Sequence, residues 1–263
     1  MGWRIAITMV NKKNTSWGRV ADWYDAHLKQ PSGSYHKDVL LPNLARLMGL
    51  KAGESVLDVA CGSGFFSREL FHGGAKVVAV DIAPELIAIA KNQSPEEIEY
   101  HTAPAHAMPF VPSASMDIAL ISLAIQNIDN VKEVLAEVSR TLKPGGRVYI
   151  VMNHPAYRIP KASFWGFDDR NGKAIQYRRV DQYMSESRKA IQMHPGDDPD
   201  EMTVSFHRPL QFYFKALNKS GFLVGRLEEW ISHKKSAKGP KQAAEDKARK
   251  EIPLFLCLEA IKQ

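Results

Sequence analysis

The stretch Ser55-Val56-Leu57-Asp58-Val59-Ala60-Cys61-Gly62-Ser63-Gly64-Phe65-Phe66-Ser67-Arg68-Glu69-Leu70 decides the fold. It opens with a short apolar run rich in β-branched side chains, the pattern of a buried strand. Two glycines follow, and then Phe65, Phe66 and Leu70 recur on roughly one face of a helix. The order is strand, tight turn, helix. A side chain at either glycine would keep a ligand off the backbone. The helix start beyond them offers unpaired N–H groups to a polar or anionic ligand group.

What is missing narrows the ligand. A dinucleotide turn has a third glycine three residues after the second, and Ser67 stands there instead. The Gly-Lys-Ser/Thr of a phosphate loop is also absent. What remains is Asp58-x-x-x-Gly62-x-Gly64, followed by a second apolar strand running from Ala75 to Asp81. An acidic residue ending that strand suits the two hydroxyls of a ribose, which one carboxylate accepts together.

With Val80-Asp81-Ile82-Ala83 and Leu142-Lys143-Pro144-Gly145-Gly146-Arg147, the chain resembles the class I S-adenosylmethionine-dependent methyltransferases. Within them it is similar to the small-molecule type 11 group typified by ubiquinone/menaquinone-biosynthesis methyltransferases. The resemblance spans residues 15–152 and continues beyond only in element order. It implies an α/β, Rossmann-like fold. The sheet would have seven mostly parallel strands in the order 3-2-1-4-5-7-6, strand 7 antiparallel, with flanking helices and a small antiparallel β insertion after strand 5. Residues 1–50 would be an N-terminal extension with cofactor-covering helices and 51–152 the cofactor-binding core. Residues 153–208 would form a lid or substrate insertion, and 209–263 would complete the sheet.

The resemblance implies S-adenosyl-L-methionine as cofactor and S-adenosyl-L-homocysteine as product. Asp58, Ala60 and the turn Gly62, Ser63 and Gly64 would hold the methionine end; Asp81 with Ile82 would take the ribose. Family members commonly carry an Asp after strand 3 for the adenine; here Pro104 stands in its place. Proline neither accepts through its side chain nor donates through its backbone. The adenine is then left to Ala105, to His106 by backbone or ring, or to packing on Met108. Ser122 and Leu123 follow strand 4 at the edge where open α/β sheets bind ligands. An aromatic from a Trp-Tyr-Asp stretch often covers the cofactor in the family, which points to Tyr24; helix packing is the other role open to it.

Substrate candidates are Tyr35, His36, Asn127, Tyr157, Arg158, Tyr177 and Arg179, and the Arg178-Arg179 pair hints at an anionic or aromatic acceptor. The same arginines equally suit a solvated lid face, and Asn127 equally suits a turn or cap. His154, directly after strand 5, leads as a catalytic base over His207, His36 and His194. No metal is expected. The first functional expectation is methyl transfer to a small-molecule acceptor. The alternatives are an RNA (tRNA) methyltransferase, for which the net charge of +6 speaks, and a non-catalytic nucleotide-binding module of the same fold.

No apolar run is long enough to span a bilayer, and the N-terminal ten residues lack the features of a signal peptide. The two cysteines, Cys61 and Cys257, imply no disulfide framework, and a cytoplasmic location is expected. The lysines of 234–241 and 247–250 suit a solvated surface or a nucleic acid. Helices are expected over 15–28, 35–48, 131–142 and 209–220, with another starting at Ala83-Pro84-Glu85. Strands are expected over 98–102, 116–122, 147–152, 222–230 and 253–260. The insertion reads as a lid of two or three strands over 164–206, with a turn at 195–199.

Overall fold

In the computed structural model the described residues are 17–28, 34–192 and 202–263. The turn expected at 195–199, His194 and the first part of the helix expected over 15–28 lie outside them. Five mutually parallel strands come first: β1 (Ser55–Val59), β2 (Lys76–Asp81), β3 (Glu99–Thr102), β4 (Met116–Ser122) and β5 (Leu142–Asn153). Two antiparallel hairpins follow, β6 (Ser163–Arg170) with β7 (Lys173–Val180), and β8 (Ser187–Gln192) with β9 (Met202–His207). β10 (Phe222–Trp230) and β11 (Phe255–Lys262) then return to the main sheet. Its order is β3-β2-β1-β4-β5-β11-β10, with β11 antiparallel to both neighbours, as the family resemblance implies.

The continuous apolar runs exist because both faces of this sheet are covered. Leu57 and Val59, with Ala119 and Ile121, point into one core with the helix α5 (Val131–Thr141) and the helix α6 (Leu210–Lys219). Val56, with Ile118 and Leu120, points into the other. That second core packs against three helices, α2 (Leu41–Met48), α3 (Phe65–His72) and α4 (Pro84–Asn92). A one-residue slip of any central strand would exchange the two sets, so the register is fixed by the cores. The remaining helices are α1 (Ala21–Leu28) and α7 (Gln242–Glu251). No helix among the described residues is long and apolar enough to cross a membrane.

Three expectations are corrected. The helix expected over 35–48 is a π-helical turn, His36–Leu40, running into α2. Pro42 has no N–H to give to the preceding turn, and the Leu41 N–H reaches back to the His36 carbonyl instead. β5 starts at Leu142, not Arg147, because Leu142 pairs with Met116 ahead of a register shift; α5 still stops at Thr141, before Lys143-Pro-Gly-Gly. The insertion is two separate hairpins of four strands. Asn171-Gly172, both with positive φ (57° and 74°), turns the first, and this is a two-residue hairpin signal that the sequence carried plainly.

The second hairpin is tied to the sheet edge by Arg208. Its buried guanidinium donates to the carbonyls of Ile128 (3.0 Å) and Asp129 (2.7 Å), in the loop between β4 and α5.

Candidate active site

β1 and β2 end side by side, Val59 opposite Val80, and the chain must leave β1 sharply for α3 to fold back over the sheet. Ala60 (φ 57°), Gly62 (58°) and Gly64 (77°) all take left-handed conformations to do so. A Cβ on Gly64 would stand 2.4 Å from the Tyr100 hydroxyl, so that position needs glycine for conformation and for space. Asp81 organises the turn from the next strand. Its Oδ2 accepts the Gly62 N–H and its Oδ1 the Ala83 N–H, each at 2.9 Å. Leu123, directly after β4, is a second strained residue (φ 53°), held by donating its N–H to the Val151 carbonyl at 2.8 Å. Strain of this kind in non-glycine residues collects at ligand sites.

These strand ends border an open cavity of about 110 Å³ whose lining includes Tyr24, Ala60, Gly62, Asp81, Ile82, Ser122, Leu123 and Asn127. Tyr24 lies against Gly62, where an added Cβ would touch its ring at 3.4 Å. A second recess of about 210 Å³ shares Ala60, Asp81, Ile82 and Asn127 and is walled by Pro104, Ala105, His106 and Asp129. Together they form one elongated cleft along the carboxyl ends of β1, β2, β3 and β4. Sequence reasoning missed Trp17, Leu86, Ile128 and Asp129. Trp17 was legible in principle, since it sits two helical turns before Tyr24, and their rings meet edge to face at 5.6 Å.

Asp58 does not line the cleft. It is buried beside α3, where Ser67 Oγ donates to its Oδ2 at 2.6 Å. Burial raises its pKa to about 7, against the Ser67 bond and helped by the Asp81 charge. Burial also raises Asp81, opposed by the N–H groups of Ala83 and Gly62. Tyr24 is pushed up by burial, then by Asp81 and Asp58; Cys61 is pushed up by burial, then by the same two carboxylates. Among the described residues no lysine or arginine lines either recess. The described walls of the cleft are therefore acidic and carry no counter-charge. Ser122 Oγ, which belongs to the cavity wall, and Ser63 Oγ are buried without a hydrogen-bond partner among the described residues. An amino-acid nucleoside carrying ammonium and sulfonium charges fits such a wall. A pyrophosphate does not.

The other predicted residues divide. Tyr35, Tyr157 and Arg158 share a separate recess at the same edge of the sheet. Tyr177 lies exposed across β6, its ring over Gly166, and Arg179 is an exposed partner of Asp181 at 2.6 Å. His36 packs its ring on Phe65 and Phe66, each at 5.7 Å. His154, expected as the base, is 4% exposed with both ring nitrogens engaged. Nε2 pairs with Glu229 at 2.7 Å, and Nδ1 accepts the Ala156 N–H at 3.2 Å. The lone pair that a base needs is taken, and burial lowers its pKa against the pull of Glu229. His207 gives Nε2 to the Tyr183 carbonyl. Among the described residues no group of three acidic, histidine or cysteine side chains could hold a metal.

Residues 57–150 match a family model described as a methyltransferase domain. The chain is 35% identical over 162 residues to the biotin biosynthesis bifunctional protein BioHC of Cellvibrio japonicus, covering 60% of this chain and 31% of that protein. It is 31% identical over 169 residues to the demethylmenaquinone methyltransferase of Lactococcus lactis, covering 60% of this chain and 66% of that one. The aligned region is under two thirds of the length of these curated relatives. A solved S-adenosylmethionine-dependent methyltransferase of Mesorhizobium loti superposes with a TM-score of 0.67 at 26% identity, covering 87% of this chain and all (100%) of that one. With the sheet order and the acidic, glycine-turned cleft already described, these likenesses support a class I S-adenosylmethionine-dependent methyltransferase.

Proposed function

We propose that this protein transfers a methyl group from S-adenosylmethionine to a small-molecule acceptor by in-line displacement. The observation that carries the reading is the pair Asp58 and Asp81 around the glycine turn, with no lysine or arginine among the described residues that line the cleft. When bound, the cofactor supplies a methyl group already activated on a sulfonium, together with its own leaving group.

The chain's work is then to hold and to exclude. Asp81 accepts the ribose hydroxyls while keeping its grip on the turn. Asp58, with its pKa raised to about 7, stabilises positive charge at the methionine end from beneath the turn when it is ionised. Ser122 and Ser63 offer polar atoms that lack partners. Ala105 and His106 form the wall for the adenine, in place of a carboxylate. Trp17 and Tyr24 shield the turn from water. Positioning of this kind is worth at most about 7–11 kcal/mol of a barrier. His154 orients the loop after β5 and is not assigned a proton to move. Two free cysteines support a cytoplasmic setting for this chemistry.

The test is a calorimetric titration with S-adenosylmethionine, S-adenosylhomocysteine and NADH, on the wild type and on Asp81→Ala. Binding of both sulfur nucleotides, weakened by the substitution and absent for NADH, is the expected result. Binding of neither sulfur nucleotide overturns the proposal.

A further inference from the structure

The recess that gathers Tyr35, Tyr157 and Arg158 has a volume of about 50 Å³ and is also lined by Trp165, Arg178 and Arg249. Its three arginines come from three places: the loop after β5, strand β7 and helix α7. None forms an ion pair with a carboxylate of the described residues. Arg178 is a fixed wall. Its Nε donates to the Tyr157 carbonyl and its Nη2 to Ser163 Oγ, both at 2.7 Å, and its guanidinium lies 5.1 Å from the Trp165 ring centroid. Arg249 donates only to Ser236 Oγ, at 3.2 Å. Asp246, whose charge reaches Arg249, accepts the Ser236 N–H at 2.7 Å and does not line the recess. The backbone N–H of Arg158 donates to the His154 carbonyl at 2.8 Å, and the Arg158 side chain makes no hydrogen bond or ion pair with any described residue.

Packing accounts for Arg178 but not for the convergence. Guanidinium groups brought together repel and lose hydration. Burial pushes Arg158 below the usual arginine range, and burial with the charge of Arg158 brings Arg178 down to about 10. Arg158 is an exposed residue that lines the recess. Lys234 adds positive charge from behind, 4.8 Å from the Tyr35 ring centroid. An oxyanion would relieve all of these at once, because guanidinium forks match carboxylate and phosphate oxygens in pairs.

The recess is also placed for an acceptor. It includes Leu254, whose carbonyl accepts the His154 N–H just past the end of β5, on the carboxyl edge of the sheet that also carries the cleft. Tyr35 directly precedes His36, which packs on Phe65 and Phe66 at the start of α3. The Tyr157 ring lies 4.7 Å from His154, at the exit of β5. We propose that this recess holds an oxyanion of the methyl acceptor, a carboxylate or a phosphate monoester, with Arg158, Arg178 and Arg249 as its cationic wall and Trp165 against the body of the molecule. The proposal rests on the methyltransferase reading for its word acceptor, not for the anion site itself.

The experiment titrates the full chain with inorganic phosphate and with benzoate, on the wild type, Arg158→Gln and Arg158→Lys, with S-adenosylmethionine titrated in parallel. Saturable binding of at least one probe is expected. It should weaken about tenfold to a hundredfold in Arg158→Gln, as for lost hydrogen bonds to a charged group, and less in Arg158→Lys. Affinity for S-adenosylmethionine should stay unchanged throughout. Phosphate alone binding identifies a phosphate ester, and benzoate alone a carboxylate. Failure of both probes on the wild type overturns the site, as does equal binding by Arg158→Gln. Probe binding with no S-adenosylmethionine binding overturns the acceptor role while leaving an anion site.

Discussion

The backbone N–H of Gly62 donates to Asp81 Oδ2 at 2.9 Å, so the turn after β1 is pinned by the carboxylate that ends β2. The other oxygen of the same side chain holds the Ala83 N–H at the start of α4, also at 2.9 Å. One residue thereby sets two backbone walls of the cleft.

Asp81→Ala removes both bonds, and S-adenosylmethionine binding should weaken about tenfold to a hundredfold, with a lower Tm. Asp81→Asn keeps an acceptor oxygen and should lose less. Calorimetry on the two variants, with thermal melts, checks the ranking. Equal losses would mean that charge, not acceptance, is what Asp81 supplies.

Asp58 predicts an inverted pH response. Its folded pKa, about 7, lies above the ordinary value of 3.8, chiefly because of burial. The folded state therefore holds a proton that the unfolded chain releases first, and the contribution to stability is fully present below about pH 4 and lost as pH rises through about 7. The ligand-free protein should melt at a lower temperature at pH 8 than at pH 6. Asp58→Asn should flatten that slope. Thermal melts across this range decide it.

Gly64→Ala meets two penalties. The left-handed backbone costs about 1–2 kcal/mol for a side chain, and the new methyl group collides with the Tyr100 hydroxyl, an overpacking of about 1–3 kcal/mol. Urea unfolding should report their sum. Adding Tyr100→Phe should return part of the second penalty and none of the first.

His154 is the discriminating histidine. His154→Gln should cost about 1–2 kcal/mol in stability, because it breaks the link from the end of β5 to Glu229 on β10. Affinity for S-adenosylmethionine should hold, and so should the shape of the pH–rate profile once an acceptor is in hand. Loss of one limb of that profile would make His154 the base after all.

The sequence by itself determined the sheet and its cofactor turn. Continuous apolar runs such as 116–122 and 55–59 require burial on both faces, and the two glycines with Asp81 require a ligand at their strand ends. Even the first hairpin of the insertion was encoded, in Asn171-Gly172. These signals are legible because each is complete within a few neighbouring residues. The tertiary structure alone decided three other things. Asp58 became a carboxyl that holds its proton near neutrality because the layers packed over it and Ser67. His154, well placed by sequence order, lost its free lone pair to a neighbouring N–H. Arg158 and Arg178, both singled out in the sequence, met Arg249 in one recess, whereas Arg179 was left exposed beside Asp181. Burial, hydrogen-bond partners and convergent charge are set by how distant elements meet, and no local periodicity records that meeting.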